Sequence, residues 1–336
     1  MRLSLEEIKG ITSGAVQVVE ESDGIHFHRF TQAQEELYRN EKPQFYHKCL
    51  GCAGIRLEFQ TNSSSLSLKI HVGPGSSRTM FSLDVVVDGR DVGNICNYIY
   101  EELPEKYSVV DYLLGEYEKT FSLGEGEKKV SIYLPWSVNS VIEELCLDDG
   151  AYIRPMKREK KVLVFGDSIT QGYDALRSFH RYGAQMADAF GWEEVNKAIG
   201  GEQFFPALAE KKDDFTPDYI MVAYGTNDWA HSSRKTIGEN CLGFFKGLRK
   251  NYPDTPMVVI TPIWRIEYNE QRSFGPFQEV DGFIREVLSE FDNITIVRGY
   301  DFVPHDVAYF ADRRVHPNDK GFAHYFEHLH KEFKKL

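Results

Sequence analysis

From about residue 156 onward, short apolar runs alternate with helix-forming stretches, and this alternation constrains the fold more than any other feature. Val162-Leu-Val-Phe165, Tyr219-Ile-Met-Val-Ala-Tyr224 and Pro256-Met-Val-Val-Ile-Thr261 lack the in-out polarity of a strand with one wet face, and Ile294-Thr-Ile-Val297 adds a further short run. Such runs suit strands covered on both sides, as inside a parallel sheet. Helical patterns fall at 182–190, 239–250 and 277–290, with a further strand around Val195. At the end, Phe322, Phe326, Leu329 and Phe333 share one helical stripe. The pattern predicts an α/β domain with helices on both faces of a parallel sheet.

The first 150 residues follow a different rule. Ile55-Arg-Leu-Glu-Phe59, Leu66-Ser-Leu-Lys-Ile70, Phe81-Ser-Leu-Asp-Val-Val-Val87 and Val130-Ser-Ile-Tyr-Leu134 keep a period of two, broken by Asn62-Ser-Ser-Ser65, Gly73-Pro-Gly-Ser-Ser77, Asp88-Gly89 and Gly124-Glu-Gly126. That predicts an all-β sandwich of jelly-roll-like type. Residues 32–38 fit either a short helix or a loop. A chain of 336 residues exceeds the usual size of one core. The pattern changes near Asp148-Asp-Gly150, which divides the chain into 1–155 and 156–336.

A formal net charge of −12 argues against nucleic acid or an acidic membrane surface as partner and favours a neutral substrate. No apolar run approaches the roughly 20 residues of a membrane span, and the polar first ten residues do not read as a signal peptide. The expected location is the cytoplasm, and the oligomeric state stays open. Five cysteines fit reduced thiols better than a disulfide framework. Cys49 and Cys52 form one C-x-x-C with only His47 nearby, short of a structural zinc site. Neither metal nor organic cofactor is expected.

The chemistry sits at the predicted strand ends. Ser168 follows the Val162 run directly, through Gly166 and Asp167, at the carboxyl edge where open α/β sheets place ligands. Gly201 ends Asn196-Lys-Ala-Ile-Gly-Gly201, and Asn227 follows the Tyr219 run in Gly225-Thr-Asn-Asp228. His316 precedes Pro317, which holds it out of the α region at a helix start. A serine hydroxyl needs an imidazole to accept its proton, and the resulting oxyanion needs hydrogen-bond donors. Ser168 is the expected nucleophile and His316 the base. The Ser168 and Gly201 N–H groups and the Asn227 amide are the expected oxyanion hole.

Gly166-Asp-Ser-Ile-Thr-Gln-Gly172, Gly201, Gly225-Thr-Asn-Asp228 and His316-Pro-Asn-Asp319 together resemble the four blocks of the SGNH (GDSL) hydrolases over residues 161–336. The resemblance implies a flavodoxin-like three-layer α/β/α fold, with Ser, Gly, Asn and His in these same roles. A β-sandwich ahead of such a domain also resembles the family 2 carbohydrate esterases, which remove acetyl groups from plant polysaccharides. One departure stands out. The family usually has Asp-x-x-His, whereas this chain has Asp312-x-x-x-His316. In an extended segment the extra residue moves the carboxylate by about 3.3 Å and turns it to the opposite face. Asp312 as third member of a triad and a Ser-His dyad both remain open.

Trp229, Trp264 and Arg265 follow strand ends and are candidates either for stacking on and hydrogen-bonding a sugar or for packing loops onto the sheet. Phe30, Tyr38, Phe45 and Tyr46 fit interface packing better than a glycan platform. The expected function is a serine esterase removing O-acetyl groups from saccharides of xylan or mannan type. The alternatives are a lipase or thioesterase of the same superfamily acting on longer acyl esters, and a non-catalytic glycan-binding protein.

Overall fold

The computed structural model describes residues 1–104 and 106–335; Leu336, the last residue of the predicted second unit, lies outside them. The first part folds as two antiparallel sheets. One has the strand order Thr12–Ser13, Arg56–Thr61, Lys128–Tyr133, Ser82–Val87, Arg90–Cys96, with Arg154–Pro155 also pairing with Arg56–Thr61. The other runs Gln17–Glu21, Gly24–His28, Val138–Leu147, Ser65–Pro74, Gly115–Ser122. Leu57, Phe59, Leu66, Leu68, Val85 and Ile132 are buried between them, as the period-two pattern requires. The undecided stretch at 32–38 is a helix, Gln32–Glu41. Its start is a capping box: Thr31 Oγ1 accepts from the Gln34 N–H at 3.3 Å and Gln34 Oε1 accepts from the Thr31 N–H at 3.0 Å.

The second part carries five parallel strands, β1 Lys160–Gly166, β2 Trp192–Asn196, β3 Tyr219–Ala223, β4 Met257–Ile260 and β5 Ile294–Val297, in the spatial order β2-β1-β3-β4-β5. This is the flavodoxin-like order, whose direction of winding reverses between β1 and β3. Successive β1 side chains enter opposite cores. Leu163 and Phe165 pack with Phe244 and Leu248, whereas Val162 and Val164 pack with Tyr182, Phe322 and Leu329, so both faces are covered and the run is apolar throughout. The last helix, Asp319–Phe333, buries Phe322, Tyr325, Leu329 and Phe333. Phe326 is only half-buried, because Tyr325 takes the core-facing position by stacking on Tyr182 at 4.1 Å between centroids. Among the described residues no helix is long and apolar enough to cross a membrane.

The sandwich does not stand apart from this sheet. Phe30 and Tyr38 join the core on one side of the sheet, and Met80, Tyr107 and Trp136 the core on the other. Arg29 is fully buried at the junction. Its guanidinium donates to the carbonyls of Asn196 (2.7 Å), Ala198 (3.0 Å), Lys48 (2.9 Å) and Gly51. Hydrogen bonds donated by a charged group are worth about 1.5–3 kcal/mol each, so Arg29 ties the sandwich firmly to the loop after β2.

Candidate active site

The end of β1 turns directly into a one-turn helix, Ser168–Gln171, capped by Asp167, whose carboxylate accepts from the Ile169 N–H at 3.0 Å. Burial raises the Asp167 carboxyl to about 6, against the hydrogen bond from Ile169. Gly166 is required for space rather than for an unusual backbone angle, since a Cβ there would lie 2.4 Å from Thr170 Oγ1. Gly172 ends the turn at φ 112°, and a side chain on it would collide with Arg181. Ser168 is thereby fixed at the carboxyl edge of the sheet beside the switch point.

Ser168 Oγ lies 2.8 Å from His316 Nε2, and His316 Nδ1 lies 2.8 Å from Asp312 Oδ2. A carboxylate can only accept, so Nδ1 carries the proton and Nε2 offers its lone pair to the serine hydroxyl. The extra residue before His316 does not turn Asp312 away, because residues 312–316 are not extended. Arg313 is left-handed (φ 52°), and Asp312 Oδ1 accepts from the N–H groups of Arg314 (2.9 Å), Val315 (2.9 Å) and His316 (3.1 Å). The segment curls around its own carboxylate, and the Ala311 N–H closes the curl by donating to the His316 carbonyl at 2.8 Å. Burial would raise the Asp312 carboxyl, but the His316 bond and these N–H donors hold it well below the usual range. Burial pulls His316 down, and the hydrogen bond to Asp312 with the charges of Asp174 and Asp312 more than offsets this, leaving it above its ordinary 6.5.

Asp174 gave no signal in the sequence. Its Oδ2 lies 3.3 Å from the same His316 nitrogen, and its side chain is fully buried. Tyr173, one residue earlier, stacks on the imidazole at 5.5 Å, and Trp136 of the sandwich backs it at 5.0 Å. Asp174, Asp312 and His316 offer atoms close enough to share a cation. The Arg78 guanidinium already grips both Asp174 oxygens, at 3.0 and 3.4 Å, so the countercharge comes from the protein.

On the oxyanion side, the Ser168 and Gly201 N–H groups have no protein acceptor among the described residues. The Gly200 N–H is held by Gln171 Oε1 at 2.8 Å, which links the glycine loop to the serine helix. Gly201 sits at φ 89°, where only glycine is unstrained, and a Cβ would approach Phe45 to 3.3 Å. Asn227 opens the helix Thr226–His231 after β3 and spends one amide proton on the Glu202 carbonyl at 3.1 Å, leaving the other. Buried Asp228 braces this corner by accepting from Gly225 and Phe204 N–H groups, both at 3.0 Å; burial raises its carboxyl to about 7 against those bonds.

The three substrate-binding candidates are buried in packing and hydrogen-bonding roles. Trp229 is fully buried, donates to the Gly275 carbonyl at 2.9 Å and packs on Phe277. Two residues along a helix is a rotation of about 200°, so Trp229 points inward where Asn227 points to the edge. Arg265 is buried, donating to Glu267 at 3.0 Å and the Thr226 carbonyl at 3.3 Å. Trp264 is 5% exposed and packed on His305, Phe310 and Tyr268. All three hold loops to the sheet, the packing role of the two that the sequence left open. Glu202 is likewise buried, paired with Lys42 at 2.6 Å. Cys49 and Cys52 are buried free thiols, both pushed up by burial.

Residues 164–324 match the GDSL-like Lipase/Acylhydrolase family. The match falls on the second domain, so it is the part of the chain behind the sandwich that is GDSL-like (SGNH-type). Among solved structures it is similar to a protein from Bacteroides ovatus described as a GDSL-like lipase, at 22% identity and TM-score 0.79, over 100% of this chain and 97% of that one. It is also similar to the salicylyl-acyltransferase SsfX3 of a tetracycline biosynthetic pathway, at 20% identity and TM-score 0.78, over 97% and 94%. A family two carbohydrate esterase from Cellvibrio japonicus follows the same two-domain fold at 16% identity and TM-score 0.67, over 100% and 97%. No curated protein sequence matches the chain.

Proposed function

We propose that this hydrolase is a serine esterase that removes O-acetyl groups from saccharides through an acyl-enzyme on Ser168. The observation that carries the reading is the unbroken chain from Ser168 Oγ through His316 to Asp312, with both links at 2.8 Å. Ser168 Oγ attacks the acetyl carbonyl carbon while its proton passes to His316 Nε2. The carbonyl oxygen becomes an oxyanion facing the Ser168 and Gly201 N–H groups and the second Asn227 amide proton. Collapse breaks the bond to the sugar oxygen, which takes the proton back from His316. Water then repeats the sequence on the acyl-enzyme and releases acetate. Asp312 keeps the ring in the required tautomer and stabilises the imidazolium.

The saccharide part of the reading has two supports. The fold is that of a family two carbohydrate esterase. The cleft of about 400 Å³ that Asp174 borders sets Glu101, Asn318 and Lys320 beside Leu103, Leu176 and Phe310, a mixed lining that suits both the hydroxyls and the C–H face of a sugar ring. The test is acetate release from defined acetylated xylo- and manno-oligosaccharides, with a series of longer 4-nitrophenyl esters alongside. Inactivity on the saccharides with rising rates on longer esters would overturn the carbohydrate reading in favour of a lipase. Acyl transfer to an added alcohol without free acetate would favour a transferase.

A further inference from the structure

We propose that Asp174 is a second positioning carboxylate for His316, and that Arg78, reaching in from the sandwich, sets how strongly that carboxylate acts. This rests on the esterase reading above and deepens it. Asp312 and Asp174 address one nitrogen, His316 Nδ1, at 2.8 and 3.3 Å, from different parts of the chain. Asp174 holds a left-handed backbone angle (φ 72°), which few residues other than Gly, Asn and Asp adopt. Its surroundings impose that position. Arg78 Nε donates to Oδ1 at 3.0 Å, Arg78 Nη2 to Oδ2 at 3.4 Å, and the Tyr107 hydroxyl also donates to Oδ2. The guanidinium lies 5.5 Å from the Tyr107 ring and 5.4 Å from the Tyr173 ring, and Tyr173 in turn stacks on the imidazole. All of Arg78 and Tyr107 comes from the sandwich half of the sequence.

The arrangement solves a charge problem. Two bare carboxylates on one Nδ1–H would stabilise the imidazolium so strongly that His316 would be protonated before it could act as a base. Arg78 offsets part of the Asp174 charge, which helps the ring keep a usable lone pair at Nε2. Once the serine proton arrives, the new positive charge forms between a hydrogen-bonded carboxylate, Asp312, and a second one close by, Asp174. No proton moves to Asp174. The other groups facing His316 are Asp167 beneath the serine helix, whose charge couples to the ring, and the stacked Tyr173.

The test is an NMR titration of the His316 imidazole, paired with the pH profile of kcat/KM on 4-nitrophenyl acetate. Asp174→Asn keeps the shape and suits the left-handed backbone; it should lower the His316 pKa and the acid limb by about one pH unit. Arg78→Met should move both upward by a similar amount, and Arg78→Lys should restore them towards the wild-type position. Tyr107→Phe removes one donor from Asp174 and should give a smaller upward shift, which keeps the test open if Arg78→Met does not fold. Absence of any shift in Asp174→Asn, or shifts of the same sign for the Asp174 and Arg78 variants, overturns the proposal. The titration needs no turnover. A wild-type protein that hydrolyses no ester would defeat the esterase reading, while the titration would still decide the role of Arg78 and Asp174.

Discussion

The two nitrogens of His316 face parts of the molecule with different origins. Nε2 faces Ser168, and beyond it the Ser168 helix, the Gly200–Gly201 turn and Asn227, all set by short segments at the ends of β1, β2 and β3. Nδ1 faces Asp312 from its own loop and Asp174, which is braced by Arg78 and Tyr107, both more than 200 residues in sequence from the histidine's loop. The groups placed to do chemistry are local to one domain and follow from sheet topology. The groups that hold them are assembled across the whole chain. The sandwich is therefore part of the site's framework: Arg29 pins the loop that leads to Gly201, and Arg78 holds Asp174 beside the histidine.

If the Nε2 side carries the chemistry, its removal must cost most. Ser168→Ala or His316→Ala should reduce kcat by about 10^4- to 10^6-fold, read as steady-state hydrolysis of 4-nitrophenyl acetate. Asn227→Ala should cost about 10^2- to 10^3-fold in kcat with little change in KM, because its free amide proton is used only when the oxyanion forms. The Nδ1 side should be more forgiving. Losing the single orienting aspartate of a serine protease triad costs about 10^4-fold, whereas Asp312→Ala here should cost on the order of 10^2-fold or less, since Asp174 stands 3.3 Å from the same nitrogen. A loss as large as that of His316→Ala would break the comparison.

The pH profile sharpens it further. His316 must be neutral to accept the serine proton, and its pKa lies above the ordinary 6.5. The rate constant kcat/KM should therefore fall as pH drops through a limb above that value, and Asp312→Asn should move the limb to lower pH because it removes the bond and the charge that raise it. The smallest effect belongs to Trp229→Phe. It should lose about 1 kcal/mol of stability with its bond to the Gly275 carbonyl and leave KM for a saccharide ester unchanged. A rise of about tenfold in KM, equivalent to 1.4 kcal/mol of binding, would return Trp229 to the substrate site.

Much of this was legible in the sequence for a physical reason. A strand covered on both faces must be apolar throughout, so Val162-Leu-Val-Phe165 announced both the parallel sheet and the edge on which Ser168 stands. The helix at Gln32–Glu41 stayed undecided between helix and loop, because the composition of 32–38 suits both and only the capping box at Thr31-Gln-Ala-Gln34 marks its start. What misled was rotation. Trp229 follows Asn227 closely, but a helix turns it away, and Asp312 looked misaligned only if residues 312–316 were extended. Asp174 lies six residues after Ser168, yet its importance depends on Arg78 and Tyr107, and no periodicity links side chains so far apart.

The central claim is that Ser168 carries the acyl group. Rapid quenching of the protein with 4-nitrophenyl acetate, followed by proteolysis and mass spectrometry, tests it most directly. The account predicts one acetyl group on the peptide containing Ser168, accumulating before steady state and absent from Ser168→Ala. Acetylation of another residue, or turnover of Ser168→Ala at the wild-type rate, would contradict it.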